Sequence, residues 1–133
     1  MKKNDEKIQI YTTALMLQIA SADGQIDAAE INIIKDILID YFKIDKKRIN
    51  QLVEESEIIR EEMIDIYELA SFVNNHLNLQ DKIDLICCYF EVAYADGNLH
   101  FLERHTIKQI ANVLNINKEQ LRNAEKEINK YLL

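Results

Sequence analysis

The 133-residue chain contains no proline, no tryptophan and only two glycines. A protein of this length has on average roughly nine glycines and seven prolines, and many of these lie in turns. Their scarcity excludes collagen-like chains and turn-rich all-β domains, while a hydrophobic fraction of 48% excludes a disordered chain. The composition therefore predicts a soluble, all-α domain that spans residues 1–133.

Clustered basic residues and a disulfide framework are also lacking. Sixteen Lys and Arg oppose 23 Asp and Glu, which gives a net charge of −7. Nucleic-acid binding without sequence preference rests on clustered cations, so we predict no nucleic-acid partner. The only cysteines, Cys87 and Cys88, are adjacent in an apolar run. This arrangement is typical of ordinary buried thiols and predicts a reducing, cytoplasmic location.

Long hydrophobic runs are absent as well. No stretch reaches the roughly 18 apolar residues that a membrane-spanning helix requires. We therefore predict no stable insertion into a membrane.

One nine-residue motif occurs twice, as ADGQIDAAE at 22–30 and ADGNLHFLE at 95–103. Between 20–37 and 93–110, eight of 18 positions are identical, whereas typical residue frequencies give roughly one identity by chance. Both glycines of the chain occupy the same place in the two copies. The pattern indicates an internal duplication.

Each copy is predicted to form a helix, a tight turn, a second helix and a short third helix. Apolar residues spaced by three and four mark the first helix. Gly24 ends that helix, because glycine adopts the left-handed backbone past a helix C-terminus without strain. Asp27 and Glu30 have the spacing of a capping box, which opens the second helix.

Seven helices result, and we expect the two copies to pack about an approximate two-fold axis with the first and fifth helices central. Ile64 and Tyr67 are predicted on the apolar side of the linking helix. The aromatic residues Tyr89, Phe90, Tyr94 and Phe101 are predicted in the core rather than around a pocket. The predicted segments are repeat one at about 7–57, a linking helix at 60–77 and repeat two at about 79–131.

The two turns gather acidic residues, and three acids within eight residues make a cation site possible. When Gly24 is set at position 6 of an EF-hand loop, positions 1 and 3 become Ile19 and Ser21. A full EF-hand is thereby excluded, while a weaker and more hydrated site for Mg²⁺, Ca²⁺ or Mn²⁺ stays open. A histidine in the second turn lets Zn²⁺ compete, although Zn²⁺ is less favoured. The candidate ligands are Asp23, Asp27 and Glu30 in the first turn and Asp96, His100 and Glu103 in the second.

Helix capping is the competing explanation for these acids. It accounts for Asp27 and Glu30, but not for Asp23 and Asp96, which lie at helix C-termini where the helix dipole disfavours negative charge. Pure capping, a cation site in at least one turn, and a binding patch for a protein partner therefore all stay open.

The paired helix-ADG-turn-helix units resemble the TerB-like family, which is associated with tellurite resistance and bacterial stress responses. The resemblance spans roughly residues 8–125 and is most specific at the two ADG turns. It implies an all-helical fold of two pseudo-symmetric halves and a bacterial cytoplasmic setting. It also implies a divalent-cation site at the acidic turns, although His100 departs from the internal pattern because the first copy has Asp27 there.

No enzymatic motif is present: the sequence has no nucleophile elbow, Walker loop, dinucleotide fingerprint or HExxH. We predict a non-enzymatic stress-response domain that binds a divalent cation and acts with another protein of a stress-response system. A metal-free interaction or scaffold module is the alternative. A metal-dependent hydrolase, with His100 and Glu103 as acid and base, is the less favoured third prediction.

Overall fold

The computed structural model describes residues 5–62 and 65–132, which form seven α-helices and no strand. The predicted all-α class is therefore confirmed. The helices are α1 (Glu6–Ala20), α2 (Ala28–Asp40), α3 (Lys46–Glu62), α4 (Ile66–His76), α5 (Leu79–Ala93), α6 (Phe101–Val113) and α7 (Lys118–Leu132).

Helices α1 and α5 lie at the centre of the molecule, as the repeat predicts. Helix α1 contacts α2, α3 and α4 and also reaches α5 and α6 of the second repeat. Helix α5 contacts α6 and α7 and reaches back to α2. Ten of the 15 residues of α1 are buried, which is typical of a helix enclosed by others. The two repeats therefore share one hydrophobic core.

The local chemistry of the ADG turns is the same in both repeats. Gly24 has a φ of +103° and Gly97 a φ of +92°, the left-handed region that side chains other than glycine rarely adopt. Each glycine closes its turn by donating its N–H three residues back, to Ser21 in the first repeat and to Tyr94 in the second. The chain then enters the next helix, so that α2 and α6 begin at equivalent places.

The segment between the repeats differs from the prediction. Helix α3 is long rather than short and continues to Glu62, so the predicted linking helix at 60–77 begins too early. Helix α4 starts only at Ile66, where the Asp65 carboxylate caps it by accepting the Glu68 N–H at 3.0 Å. The side chain of Tyr67 is 66% exposed, which shows that its predicted place on the apolar side was wrong. Ile64 lies outside the described residues.

Within the described ranges, no helix combines the length and the apolar character needed to cross a membrane. Cys87 and Cys88 are free thiols and are half-buried on α5.

Candidate cation site

The pseudo-symmetric packing brings the two ADG turns together. The His100 ring nitrogen Nε2 lies 3.2 Å from Asp96 Oδ2 in its own turn. The same nitrogen lies 3.8 Å from Asp23 Oδ2 in the other turn. The six candidate ligands therefore belong to one composite site rather than to two separate ones.

Two buried glutamates form the floor of this composite site. Glu30 and Glu103 are the third residues of α2 and α6, and they are 4% and 0% exposed. Their carboxyl groups lie within hydrogen-bonding reach of each other. Because both residues occupy the same position in the duplicated motif, the approximate two-fold relation sets them face to face.

One oxygen of each glutamate is used by the local helix start. Glu30 Oε1 accepts the Asp27 N–H at 3.1 Å, and Glu103 Oε1 accepts the His100 N–H at 3.4 Å. The other Glu103 oxygen, Oε2, is buried and has no donor among the described residues. Buried polar atoms nearly always have a partner, and a proton between the carboxyl groups of Glu103 and Glu30 would supply one.

Burial, followed by the neighbouring carboxyl group of Glu30 and, more weakly, the charge of Asp23, raises the pKa of Glu103 to about 9. Burial also raises the pKa of Glu30. Two carboxylates in one dry site repel each other, so one of them retains its proton. A retained proton therefore accounts for the close approach of the two carboxyl groups.

The aspartates lie at the exposed rim, where the turns themselves use them. Asp23 Oδ1 accepts the Gln25 N–H at 3.3 Å, and Asp96 Oδ1 accepts the Asn98 N–H at 3.0 Å. The Asn98 N–H, followed by His100, lowers the pKa of Asp96. Both aspartates lie three residues past their helices, where free turn N–H groups are available. The predicted mismatch with the helix dipole therefore has a structural explanation.

Asp27 and His100 occupy the same position in the two repeats but behave differently. The Asp27 carboxylate caps α2 by accepting the Glu30 N–H at 2.8 Å, which completes the predicted capping box. The His100 ring turns instead towards Asp96 and Asp23. At this position the second turn therefore has an imidazole at the rim of the site, where the first turn has a carboxylate.

The residue types suit a hard divalent cation, because carboxylate oxygens are the ligands that Ca²⁺, Mg²⁺ and Mn²⁺ prefer. As placed, however, no three His, Cys, Asp or Glu side chains in the described ranges stand in an arrangement able to hold a metal ion. Asp23, Asp27 and Asp96 point to backbone N–H groups instead. The donor chemistry fits a cation, whereas the side-chain orientations are those of a cation-free turn.

Sequence reasoning identified these six residues but ranked them differently. It treated Glu30 as a capping residue and took Asp23 and Asp96 as the functional signal. The sequence does contain the decisive clue: identical acids at equivalent positions near an approximate two-fold axis must approach each other. Only the packing shows that this axis passes between the glutamates.

A comparison with known families agrees with the duplicated architecture. The family model described as Tellurite resistance protein TerB matches residues 9–126 of the chain. That match includes both ADG turns and all of α2 to α6. No curated protein and no solved structure matches the chain. Because the family model covers most of its length, the chain belongs to the TerB family.

Proposed function

We propose that this TerB-family chain is a non-enzymatic stress-response domain that binds one divalent cation between its two ADG turns. The observation that carries the proposal is the buried Glu103 Oε2, which lacks a donor among the described residues, on a carboxyl group within hydrogen-bonding reach of that of Glu30. A cation placed there replaces the proton that the two glutamates otherwise share.

The charges around the site support a cation over an anion. Five carboxylates belong to the two turns, and among the described residues no Lys or Arg lies within 4.0 Å of any of them. Their single basic neighbour within that distance is His100. Attraction between the cation and these carboxylates offsets the cost of removing its hydration shell.

The cation requires movement only at the rim. Glu30 and Glu103 would form the inner ligands, and Asp23 and Asp96 would join them by leaving their exposed turn hydrogen bonds. Hydrogen bonds at exposed positions are worth about 1 kcal/mol each, so this exchange is inexpensive. Asp27 and His100 complete the ligand set. We favour Ca²⁺, Mg²⁺ or Mn²⁺ over Zn²⁺, because five of the six groups are carboxylates.

The position of His100 supports a binding role over catalysis. Its ring faces Asp96 and Asp23, whereas Glu103 contacts only its backbone N–H. An acid and base pair needs both side chains directed at one substrate.

Calorimetric titration and thermal unfolding of the chelator-treated chain with Ca²⁺, Mg²⁺ and Mn²⁺ test the proposal. At ten times the Kd, a bound cation stabilises the folded state by about 1.4 kcal/mol, or about 5 °C in Tm. Glu103→Gln cannot give up a proton to a cation but keeps the shape of the side chain, so we expect it to abolish the increase. Glu54→Gln, at an exposed position on α3, is the matched control and should retain it.

Failure of all three cations to raise the Tm at millimolar concentration would falsify the cation site. Equal responses of Glu103→Gln and the wild type would place any binding elsewhere on the chain.

A metal-free interaction module is the second candidate, and one observation favours it. Phe101 and Leu102, directly beside the acidic turns, are 80% and 49% exposed. Adjacent exposed apolar side chains are typical of a protein-binding surface. In this case a partner of a stress-response system would bind the chelator-treated chain, and substitution near Asp96 would release it.

A further inference from the structure

Helix α6 begins with an exposed apolar pair, Phe101 and Leu102, which we call the apolar knob. Phe101 has the most exposed large hydrophobic side chain of the described residues, at 80%. Its ring stacks on His105 with 6.5 Å between centroids and leaves its other face open to solvent. Asp96 and Asp23, which contact His100 next to the knob, give its surroundings a negative charge.

A cleft of about 490 Å³ lies between α6 and α7, and we call it the basic groove. Its floor is apolar, formed in part by Ala111, Ile116 and Leu121. Lys108, Lys118 and Arg122 stand at its rim. They are exposed, and none has a carboxylate within 4.0 Å among the described residues.

Acidic residues of the basic groove do not neutralise its exposed lysine and arginine side chains. Arg104 also lines it, but its guanidinium binds both Glu125 oxygens at 2.6 Å. Arg104 thereby neutralises the Glu125 carboxylate, and Tyr94 OH donates to the same carboxylate at 2.7 Å. Lys118 and Arg122 consequently stand unpaired beside an apolar floor, and Lys108 is attracted to Glu125 from beyond 4.0 Å, on a chain whose net charge is −7.

The apolar knob and the basic groove share one face of α6. Residues 101, 105, 108 and 112 follow one another at spacings of three and four, which places them along a single stripe of the helix. Phe101 is the first of them, and Lys108 and Asn112 line the groove. The apolar knob, with its acidic neighbours, therefore lies beside the basic groove on one face of the molecule.

We propose that a second copy of this chain docks on this face, with the apolar knob of each copy inserted into the basic groove of the other. The two surfaces are complementary in two ways. The apolar knob meets the apolar floor of the groove, and the acidic turns meet its basic rim. Antiparallel α6 helices about a two-fold axis make the contact twice, as in the commonest closed oligomers. The contact requires no bound cation.

Sedimentation velocity and light scattering, both in excess chelator, test the dimer. In roughly 20 mM salt we expect a reversible dimer, and in about 500 mM salt a weaker one, because exposed charges are screened. A chain that stays monomeric at several hundred micromolar in low salt overturns the proposal. So does growth beyond the dimer, or a dimer that is indifferent to salt. Because no cation is present, none of these results bears on the proposed cation site.

Two substitutions with matched controls locate the interface. Phe101→Ser removes the centre of the knob twice per dimer and should raise the dimer Kd by at least about tenfold. Tyr67→Ser removes a comparably exposed aromatic ring from α4 and should leave the Kd unchanged. Arg122→Glu should raise the Kd at least about tenfold, whereas Lys47→Glu, with the same change in net charge, should not. Circular dichroism and Tm verify that each variant is folded. Equal effects of a variant and its control overturn the proposal.

Discussion

Raising the pH from 6 to 8 should destabilise the folded chain through Glu103. Burial and the neighbouring Glu30 carboxyl raise the pKa of Glu103 to about 9, whereas its ordinary value is 4.5. Between these values the folded chain retains a proton that the unfolded chain has released. The stabilising effect is complete below pH 4.5 and is lost as the pH rises towards 9.

The magnitude follows from one proton. Each pH unit within this window lowers the free energy of unfolding by about 1.4 kcal/mol, so two units lower it by up to about 3 kcal/mol. For a domain of this size the loss is about 10 °C in Tm. It is a large fraction of a typical stability of roughly 5 to 15 kcal/mol. The pKa of Glu30 is also raised, mainly by burial.

Urea unfolding of the chelator-treated chain at pH 6, 7 and 8 measures this slope. Glu103→Gln retains a hydrogen-bond donor towards Glu30 at every pH. Its free energy of unfolding should therefore fall less steeply with pH, and the difference in slope should be that of about one proton. Glu54→Gln is the control and should keep the wild-type slope. Burial also raises the pKa of Glu91 on α5, but that contribution is common to all three proteins and cancels. Parallel curves for the wild type and Glu103→Gln would refute a shared proton at the floor of the site.

Two further predictions concern the backbone and the helix ends. Gly97→Ala should destabilise the chain by about 1 to 2 kcal/mol in urea unfolding, because alanine is strained at a φ of +92°. The added Cβ meets no atom within 4 Å, so backbone strain is the whole cost. An unchanged stability of Gly97→Ala would contradict a strained turn. Asp65→Ala removes the carboxylate that caps α4 and should cost about 1 kcal/mol. Asp65→Asn retains the cap and should stay close to the wild type, and equal losses in the two Asp65 variants would point to charge instead of capping.

Local signals were sufficient for most of the fold. Gly24 and Gly97 adopt the expected left-handed backbone, and Asp27 and Glu30 form the expected capping box. These features depend on residues only a few positions apart, which explains why the sequence reports them. Duplication then extended the prediction, since whatever holds for one repeat constrains the other.

Features that depend on packing were harder to predict. Tyr67 and Phe101 both lie in the first turn of a helix, where too few neighbours precede them to define the buried face. Both are exposed although their spacing indicated the core. Helix α3 is longer than predicted. Nothing before residue 62 breaks its helical pattern, and the next N-cap comes only at Asp65.

The candidate site divides in the same way. Its residues could be proposed from the sequence, because an acid cluster beside a glycine turn is a local pattern. Its arrangement could not, because the distance between Glu30 and Glu103 depends on how two segments 73 residues apart are packed. Asp23 was judged unusual from the helix dipole alone, before its hydrogen bond to the Gln25 N–H was known.

The enclosure of α1 determines how the acidic turns respond to an occupant. An EF-hand loop wraps its ion by bending, but here each turn follows a helix anchored in a core that both repeats share. Tightly packed interiors resist compression, so the gap between the glutamates cannot contract around a small ion or widen for a large one. If the turns bind a cation as proposed, they should discriminate among divalent cations by ionic radius, with a preference set by the spacing of two helix starts.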